Sequence, residues 1–319
     1  MTNERGPTVV AIGGHSLLAP DLPPTVANQF AVTRAAMKPI ADLLERGEHL
    51  VLTHGNGPQV GFMQLRSEMA RDTLPEVPLD SLVADSQGAM GYMIERALRA
   101  ELRRRGNDTP VVTIVTEVEV DPDDPAFDEP NKPIGQFYEA TEAEALSAER
   151  GWRLMHDPKR GVRRVVASPI PRRIVQMETI RQLCDLGITV ICCGGGGIPV
   201  SRGEDDQIVG HEAVIDKDRV SMLLAVDLGA SRLVITTSVD HVYEDFYSDS
   251  PTPRPKLTAA EVRQLQADGH FAAGSMAPKM EAAVDFLAAT DGDVIICLPE
   301  ELVDAVDGRA GTHIRRNGT

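Results

Sequence analysis

Three apolar runs in this sequence empty straight into glycine-rich turns: AIGGHS at 11–16, LTHGNGPQVG at 52–61 and ICCGGGGIPV at 191–200. Glycine removes the side chain that would hold a backbone N–H away from an anion. When strands of one parallel sheet end in such turns, the turns gather at the carboxyl edge, where open α/β sheets hold their ligands. A single Gly-Gly pair is ordinarily just a turn. Three of them behind three strands point to a shared site for phosphate or carboxylate.

Between these turns, short β-branched runs alternate with stretches of helical periodicity, the pattern of a largely parallel sheet covered by helices. Strands are predicted over 8–12, 50–53, 111–116, 189–193, 233–237 and 294–298. Helices are predicted over 26–46, 58–71, 81–104, 171–186, 219–228, 259–268 and 278–289. A length of 319 residues suits one large α/β unit or two domains. The 32 Lys+Arg against 48 Asp+Glu leave a net charge of −16, which argues against binding a nucleic-acid backbone. A small anionic substrate is still open, because a few placed cations decide a site.

No run approaches the roughly 18 apolar residues of a membrane helix, and the N-terminus has no basic start followed by a long apolar stretch. The four cysteines, Cys184, Cys192, Cys193 and Cys297, show no metal-binding spacing; adjacent Cys192 and Cys193 are expected on opposite faces of a strand. A cytoplasmic chain with buried free thiols is expected.

One stretch breaks the rhythm. Residues 117–150 hold eleven acids against Lys132 and Arg150, and 153–173 then carry Lys159 and six arginines against Asp157 alone. This acidic-then-basic block suggests an excursion from the sheet, and a merely solvated surface would look similar.

The common nucleotide fingerprints fail. In GNGPQVG the last glycine, Gly61, falls one residue too late for a dinucleotide motif; no GxxxxGK[ST] occurs, and HRD and DFG are absent. HEAVI from His211 lacks the second histidine of a zinc hydrolase. Positive charge sits instead in three particular places. Lys217, between Asp216 and Asp218, opens one predicted helix, and Lys279 opens another behind Ser275, an expected N-cap, and Pro278. A cation at a helix start opposes the dipole at a cost of about 0.3–1 kcal/mol. It makes sense where an anion shares the place. The third is Lys132, in NKPIG, the sole cation between Glu117 and Glu149. Together these favour phosphoryl transfer, with lysines offsetting charge on the moving group and an aspartate holding the lysines.

At these residues the chain resembles the carbamate kinases of the amino-acid kinase superfamily. The matching stretches are THGNGPQVG (53–61), DSQGAMGY (85–92), DPAF and PNKPIGQFY (124–138), GVRRVVASPIP (161–171), CGGGGIPV (193–200), EAVIDKD (212–218) and GSMAPKMEAA (274–283). Their order and spacing extend the likeness over essentially the whole chain.

The resemblance implies a three-layer αβα sandwich on a largely parallel open sheet. It implies an N-terminal acceptor lobe over 1–212, with a small protruding subdomain near 117–165, and a nucleotide lobe over 213–319. It implies a homodimer using Mg²⁺ with ATP or ADP and a small acceptor such as carbamate. Carried over position by position, Lys217 and Lys279 would flank the transferring phosphoryl, Lys132 would reach in from the subdomain, and Asp218 would organise the lysines. Gly13, Gly14, His15, Gly55, Asn56 and Gly57 would cradle the acceptor. Thr237, Ser238, Tyr243, Met276 and Lys279 would border the nucleotide. No protein metal ligand is expected.

There are departures from the family pattern. The first loop reads Gly13-Gly14-His15 where the family has Gly-Gly-Asn, and Ser238 stands for a usual Asp, Gln176 for Glu and Ala167 for Pro. Histidine is a larger ring with a possible charge, so the acceptor could be carbamate or another small carboxylate or phosphonate. The other readings are a binding protein without catalysis and a nucleic-acid surface over 153–173. The surviving lysines speak against the first, and the net charge against the second.

Overall fold

The computed structural model describes residues 6–18, 22–157, 161–246, 248, 250–272 and 274–317, without the side chains of residues 15, 16 and 204. Lys159 and Arg160 of the basic block lie outside the described residues.

The chain begins with β1 (Thr8–Ile12), α1 (Val26–Glu45), β2 (Leu50–His54), α2 (Gly57–Ala70), α3 (Leu79–Arg104) and β3 (Val111–Thr113). A strand-rich stretch follows: β4 (Glu117–Val120), β5 (Lys132–Tyr138), α4 (Ala140–Arg150), β6 (Arg153–Asp157), β7 (Gly161–Val166) and β8 (Pro171–Ile174). Next come α5 (Met177–Asp185), β9 (Thr189–Ile191), β10 (Ile198–Arg202), β11 (Ile208–Gly210), α6 (Lys217–Asp227) and β12 (Arg232–Thr236). The hairpin β13 (Tyr243–Glu244) and β14 (Thr252–Pro253) leads to β15 (Lys256–Thr258), α7 (Ala259–Ala267) and α8 (Met276–Ala289). The last elements are β16 (Asp293–Cys297), α9 (Leu302–Val306) and β17 (Thr312–Arg315).

An eight-stranded sheet in the order β15-β17-β16-β12-β1-β2-β9-β3 forms the centre. From β16 to β3 every pairing is parallel. These are the six strands the sequence predicts, buried on both faces as parallel strands must be. Only β17 runs against its neighbour β16, and β15 pairs parallel with β17. Successive residues of β1 serve opposite layers. Val9 and Ala11 join a core closed by α5, α6, α7 and α8, and Val10 and Ile12 join one closed by α1, α3 and α9. That period-two division makes the molecule a three-layer αβα sandwich.

Three local expectations need correction. The predicted helix over 171–186 is β8 followed by α5. Pro171 has no N–H to give a helix, but it suits the start of an edge strand, where it pairs with Val120 of β4. The strand predicted to Thr116 ends at Thr113, and Thr116 turns its hydroxyl to receive the Cys193 N–H at 3.0 Å. Cys193 does not continue β9 either; it adopts a left-handed φ of 53° inside the third glycine loop, buried with Cys192.

The charge blocks resolve into two small sheets. One has the order β11-β10-β4-β8, and across it Glu119 of the acidic run takes Arg173 at 2.7 Å and Arg202 at 3.1 Å. Arg172 likewise pairs with Asp121. The other, β5-β7-β6, is antiparallel and encloses a small core of Tyr138, Ala143, Trp152 and Val162 with α4.

Candidate active site

Parallel pairing of β1 with β2 puts Ile12 beside His54, so the first two glycine loops leave the sheet together. Gly55 donates its N–H to the Ile12 carbonyl at 2.9 Å. A methyl group on Gly55 would lie 2.8 Å from the Gly14 nitrogen and 3.3 Å from Lys217 Cδ. Glycine is therefore required here by contact between loops. The third loop, behind the neighbouring β9, packs on the second. A methyl on Gly195, at φ +66°, would fall 2.1 Å from Asn56 Nδ2, and one on Gly194 2.5 Å from His54 Nε2.

His54 is buried, its Nδ1–H donating to the Gly55 carbonyl at 3.1 Å. Burial pulls its pKa down to about 4, against the smaller opposing effect of that hydrogen bond, so the ring is neutral near pH 7. Asn56 gives its amide to Ser86 Oγ at 2.7 Å, and Ser86 donates onward to the Val83 carbonyl at 2.7 Å. The Asn56–Ser86 bond fixes the Asn56 side chain against α3. Gly57 opens α2 and has open space around its α-carbon. His15 falls in the 3-10 turn Gly14–Leu17, with its side chain outside the described part.

Lys217 is the first residue of α6, and Asp218 is the second. The Asp218 carboxylate, 3% exposed, receives Lys217 Nζ on one oxygen and Lys279 Nζ on the other at 2.8 Å. Burial alone would raise the Asp218 pKa, but the two ammonium groups outweigh it and hold the carboxyl well below the usual range. For Lys217, burial lowers the pKa despite Asp218, and the Lys279 charge lowers it further. Ser221 Oγ donates to the Lys217 carbonyl at 2.7 Å and meets Thr53 Oγ1 at 2.6 Å, tying the start of α6 to the end of β2.

Lys132 comes from β5, in the separate antiparallel sheet, and its Nζ reaches Asp216 Oδ2 at 2.6 Å. Asp216 was not among the residues singled out by sequence. Its other oxygen caps α6, accepting the Asp218 N–H at 2.9 Å and the Arg219 N–H at 3.4 Å. Burial favours the protonated acid, yet the Lys132 charge holds the Asp216 pKa below its ordinary value. No sequence spacing signals this pair, since 84 residues separate its members. Gln59 was missed too: it is 4% exposed in the first turn of α2, and both its amide atoms lack a partner among the described residues.

The residues proposed for the nucleotide lie along the carboxyl edge of β12 and at the start of α8. The Thr236 hydroxyl accepts the Gly13 N–H at 3.3 Å, and Thr237 donates its N–H to the Cys297 carbonyl at 2.9 Å, with Ser238 exposed beyond them. Tyr243 donates to Asp240 Oδ1 at 2.8 Å and sits 5.8 Å from the Phe246 ring. Met276 opens α8, three residues before Lys279; Ser275 takes the N-cap position but makes no capping hydrogen bond. Among the described residues no hydrogen bond or ion pair joins Ser238, Tyr243 or Met276 to the lysines. Among the described residues no group of His, Cys, Asp and Glu could hold a metal ion.

A cluster of this kind, several ammonium groups fixed by carboxylates beside glycine-loop amides, can neutralise a phosphoryl group in flight without touching it covalently. Comparisons with known proteins bear on the class of reaction. The model of the amino acid kinase family matches residues 6–297. Carbamate kinase 2 of Enterococcus faecalis is 42% identical over 311 residues, covering 97% of this chain and 99% of that protein. The carbamate kinase-like protein YahI of Escherichia coli is 42% identical over 309 residues, covering 96% of this chain and 98% of the relative. The solved structure of carbamate kinase from Giardia lamblia bound to AMP-PNP gives a TM-score of 0.91 at 38% identity, covering 98% of this chain and 99% of that one.

Proposed function

This chain belongs to the amino acid kinase family and is a carbamate kinase-like phosphotransferase, and from that premise we propose that it exchanges a phosphoryl group between ATP and carbamate. The observation that carries the reading is Asp218 gripping Lys217 and Lys279 where Lys217 lies against Gly55.

In the ATP-forming direction, a β-phosphate oxygen of ADP forms the new bond to phosphorus. The bond from phosphorus to the carbamate oxygen breaks, and carbamate leaves with that electron pair. No covalent enzyme intermediate is needed, so the protein contributes positioning and charge. Lys217 and Lys279 flank the moving group, Asp218 fixes them, and Lys132 adds the third positive charge. Backbone N–H groups of Gly14, Asn56 and Gly57 hold the acceptor oxygens, while those of Gly13 and Gly55 bond to Thr236 and Ile12 and shape the loops around the acceptor. Thr237, Ser238, Tyr243 and Met276 border the nucleotide, which fits the AMP-PNP bound to the Giardia enzyme.

The residues present do not form a magnesium site. Asp216 and Asp218 already serve lysines and helix N–H groups, and no other cluster of ligands is near them among the described residues. A divalent ion would arrive on the nucleotide phosphates. The division into an acceptor lobe over 1–212, with its excursion near 117–165, and a nucleotide lobe over 213–319 belongs to the same proposal. So does a homodimer, which light scattering would test. Among the described residues no helix is long and apolar enough to cross a membrane.

A second reading keeps the chemistry and changes the acceptor to another small carboxylate or phosphonate. His15 in the first loop favours it, and a carbamate kinase-like relative matches at the same 42% identity as a carbamate kinase. The deciding experiment is ATP formation from ADP, Mg²⁺ and carbamoyl phosphate, run beside a panel of other acyl phosphates. Folded, ADP-binding protein without activity on carbamoyl phosphate overturns the carbamate assignment.

A further inference from the structure

We propose that Asp216 is a positioning residue for phosphoryl transfer, a single carboxylate that caps the helix carrying Lys217 and Asp218 and with its second oxygen fixes the ammonium of Lys132. This rests on the reading above that Lys132 serves the transferred phosphoryl.

The three lysines come from three elements. Lys217 and Lys279 start helices whose inner faces lie in the large core, and they share Asp218. Lys132 starts a strand of a different sheet, its side chain is 32% exposed, and Asp216 is its one ion-pair partner among the described residues. Four rotatable bonds separate that ammonium from its backbone, so strand placement alone leaves the charge free to sweep through solvent.

The backbone around Lys132 is docked without Asp216. Lys132 pairs with Val166 of β7, and just beyond β7 Ala167 bridges to Ala213 while its carbonyl accepts the Val214 N–H at 3.0 Å. At the far end of β5, Tyr138 donates to Glu68 Oε2 of α2 at 3.2 Å. Gly135 of the same strand approaches so closely that a methyl on Gly61 would sit 3.4 Å from its α-carbon. With the strand held at these points, removing the Asp216 charge releases the side chain and leaves the sheet in place. Asp216 itself is 8% exposed, and its capping oxygen needs no negative charge; an amide caps as well. The charge on Asp216 is what Lys132 uses.

Full-length Asp216→Asn, Lys132→Met and the double variant distinguish the roles, with Tyr138→Phe as a control at the other end of β5. In Asp216→Asn the helix cap survives, Tm stays close to that of the parent, and kcat for ATP formation falls about 10- to 100-fold, the scale of a misplaced catalytic group. KM for ADP stays within about twofold, and the double variant is no slower than Lys132→Met alone. Tyr138→Phe keeps kcat within about threefold. Asp216→Asn with normal kcat beside an impaired Lys132→Met overturns the proposal. So do losses that multiply in the double variant, or an equal loss in Tyr138→Phe, which would make Asp216 one docking contact among several. A fully active Lys132→Met instead overturns the underlying reading of Lys132.

Discussion

The central sheet and the small antiparallel sheet each deliver lysine to the same neighbourhood, and they do so with different rigidity. Lys217 and Lys279 stand on helices packed into the large core, and their shared carboxylate is 3% exposed. Lys132 stands at the edge of a three-stranded sheet whose own core comprises Tyr138, Ala143, Trp152 and Val162. Charges fixed by a core resist displacement but unfold the core when unpaired. A charge carried by a thin layer costs the protein little to move, which suits a group that must admit substrate. Substitutions in the two regions should therefore separate stability from turnover.

The largest effect belongs to Asp218→Asn. It strips the shared counter-charge from two buried ammonium groups, and breaking a buried ion pair from one side costs about 3–5 kcal/mol. Chemical denaturation should show that loss together with a kcat reduced by at least about a thousandfold. A variant with normal stability and rate would mean that solvent already screens the cluster and the contrast with Lys132 is false. The pH behaviour has a definite sign. Because the folded Asp218 pKa is depressed, its contribution is present above the ordinary carboxylate range and lost only as pH falls through the lower folded value. Lys217→Ala should keep the fold better, since Lys279 still pairs with Asp218, while losing most turnover.

His54 gives the next largest effect, again in the central region. Its folded pKa of about 4 lies below the ordinary histidine value of 6.5. The unfolded chain thus binds a proton that the folded chain refuses, and stability falls as pH drops from about 6.5 toward 4. The full shift corresponds to roughly 3 kcal/mol. His54→Gln should flatten denaturation midpoints between pH 7 and 4.5; an unchanged slope would mean that the ring is solvated and that the second and third loops do not pack tightly on it.

In the small sheet, Trp152→Ala should act locally. The ring is flanked by the guanidinium groups of Arg150 and Arg164 at 5.1 and 4.9 Å and packs with Tyr138 at 5.9 Å. Hydrogen exchange should show amides over 132–166 losing protection while β1, β2 and β12 keep theirs. Loss of protection in both regions would erase the distinction between them.

The same contrast governs how much could be read from the sequence. The six parallel strands were legible because each is a β-branched run buried on both sides, and the glycine turns mark their carboxyl ends. β15 and β17 escaped notice because a few residues at a sheet edge leave no periodic trace. The stretch from Pro171 read as helix because the strand there is brief and α5 follows at once. The Lys217-Asp218 half of the cluster is contiguous in sequence; Lys279, 61 residues on, stands out as a cation at a helix start, and only the resemblance ties it to Asp218. Asp216 is the N-cap residue of α6. Its second role needs a strand that begins 84 residues earlier, and only the tertiary structure supplies that.

The smallest expected effect lies where the acidic and basic blocks face each other. Arg172 pairs with Asp121 across β8 and the end of β4, but the arginine side chain is 64% exposed and the acid 32%. Water screens such a pair, and ordering two flexible side chains offsets most of the attraction, so the net value is about 0–1 kcal/mol. Arg172→Ala should shift the denaturation midpoint barely at all, and added salt should erase what shift there is. Glu119 is a stricter case, since Arg173 and Arg202 both bond to it and hold its pKa at about 2. Removing it leaves two like charges side by side, so Glu119→Gln should cost more than Arg172→Ala. If the two variants are equal, these blocks are only a solvated surface, and the sheet β11-β10-β4-β8 is held by its backbone ladder and by Val118, Val120 and Ile174 beneath it.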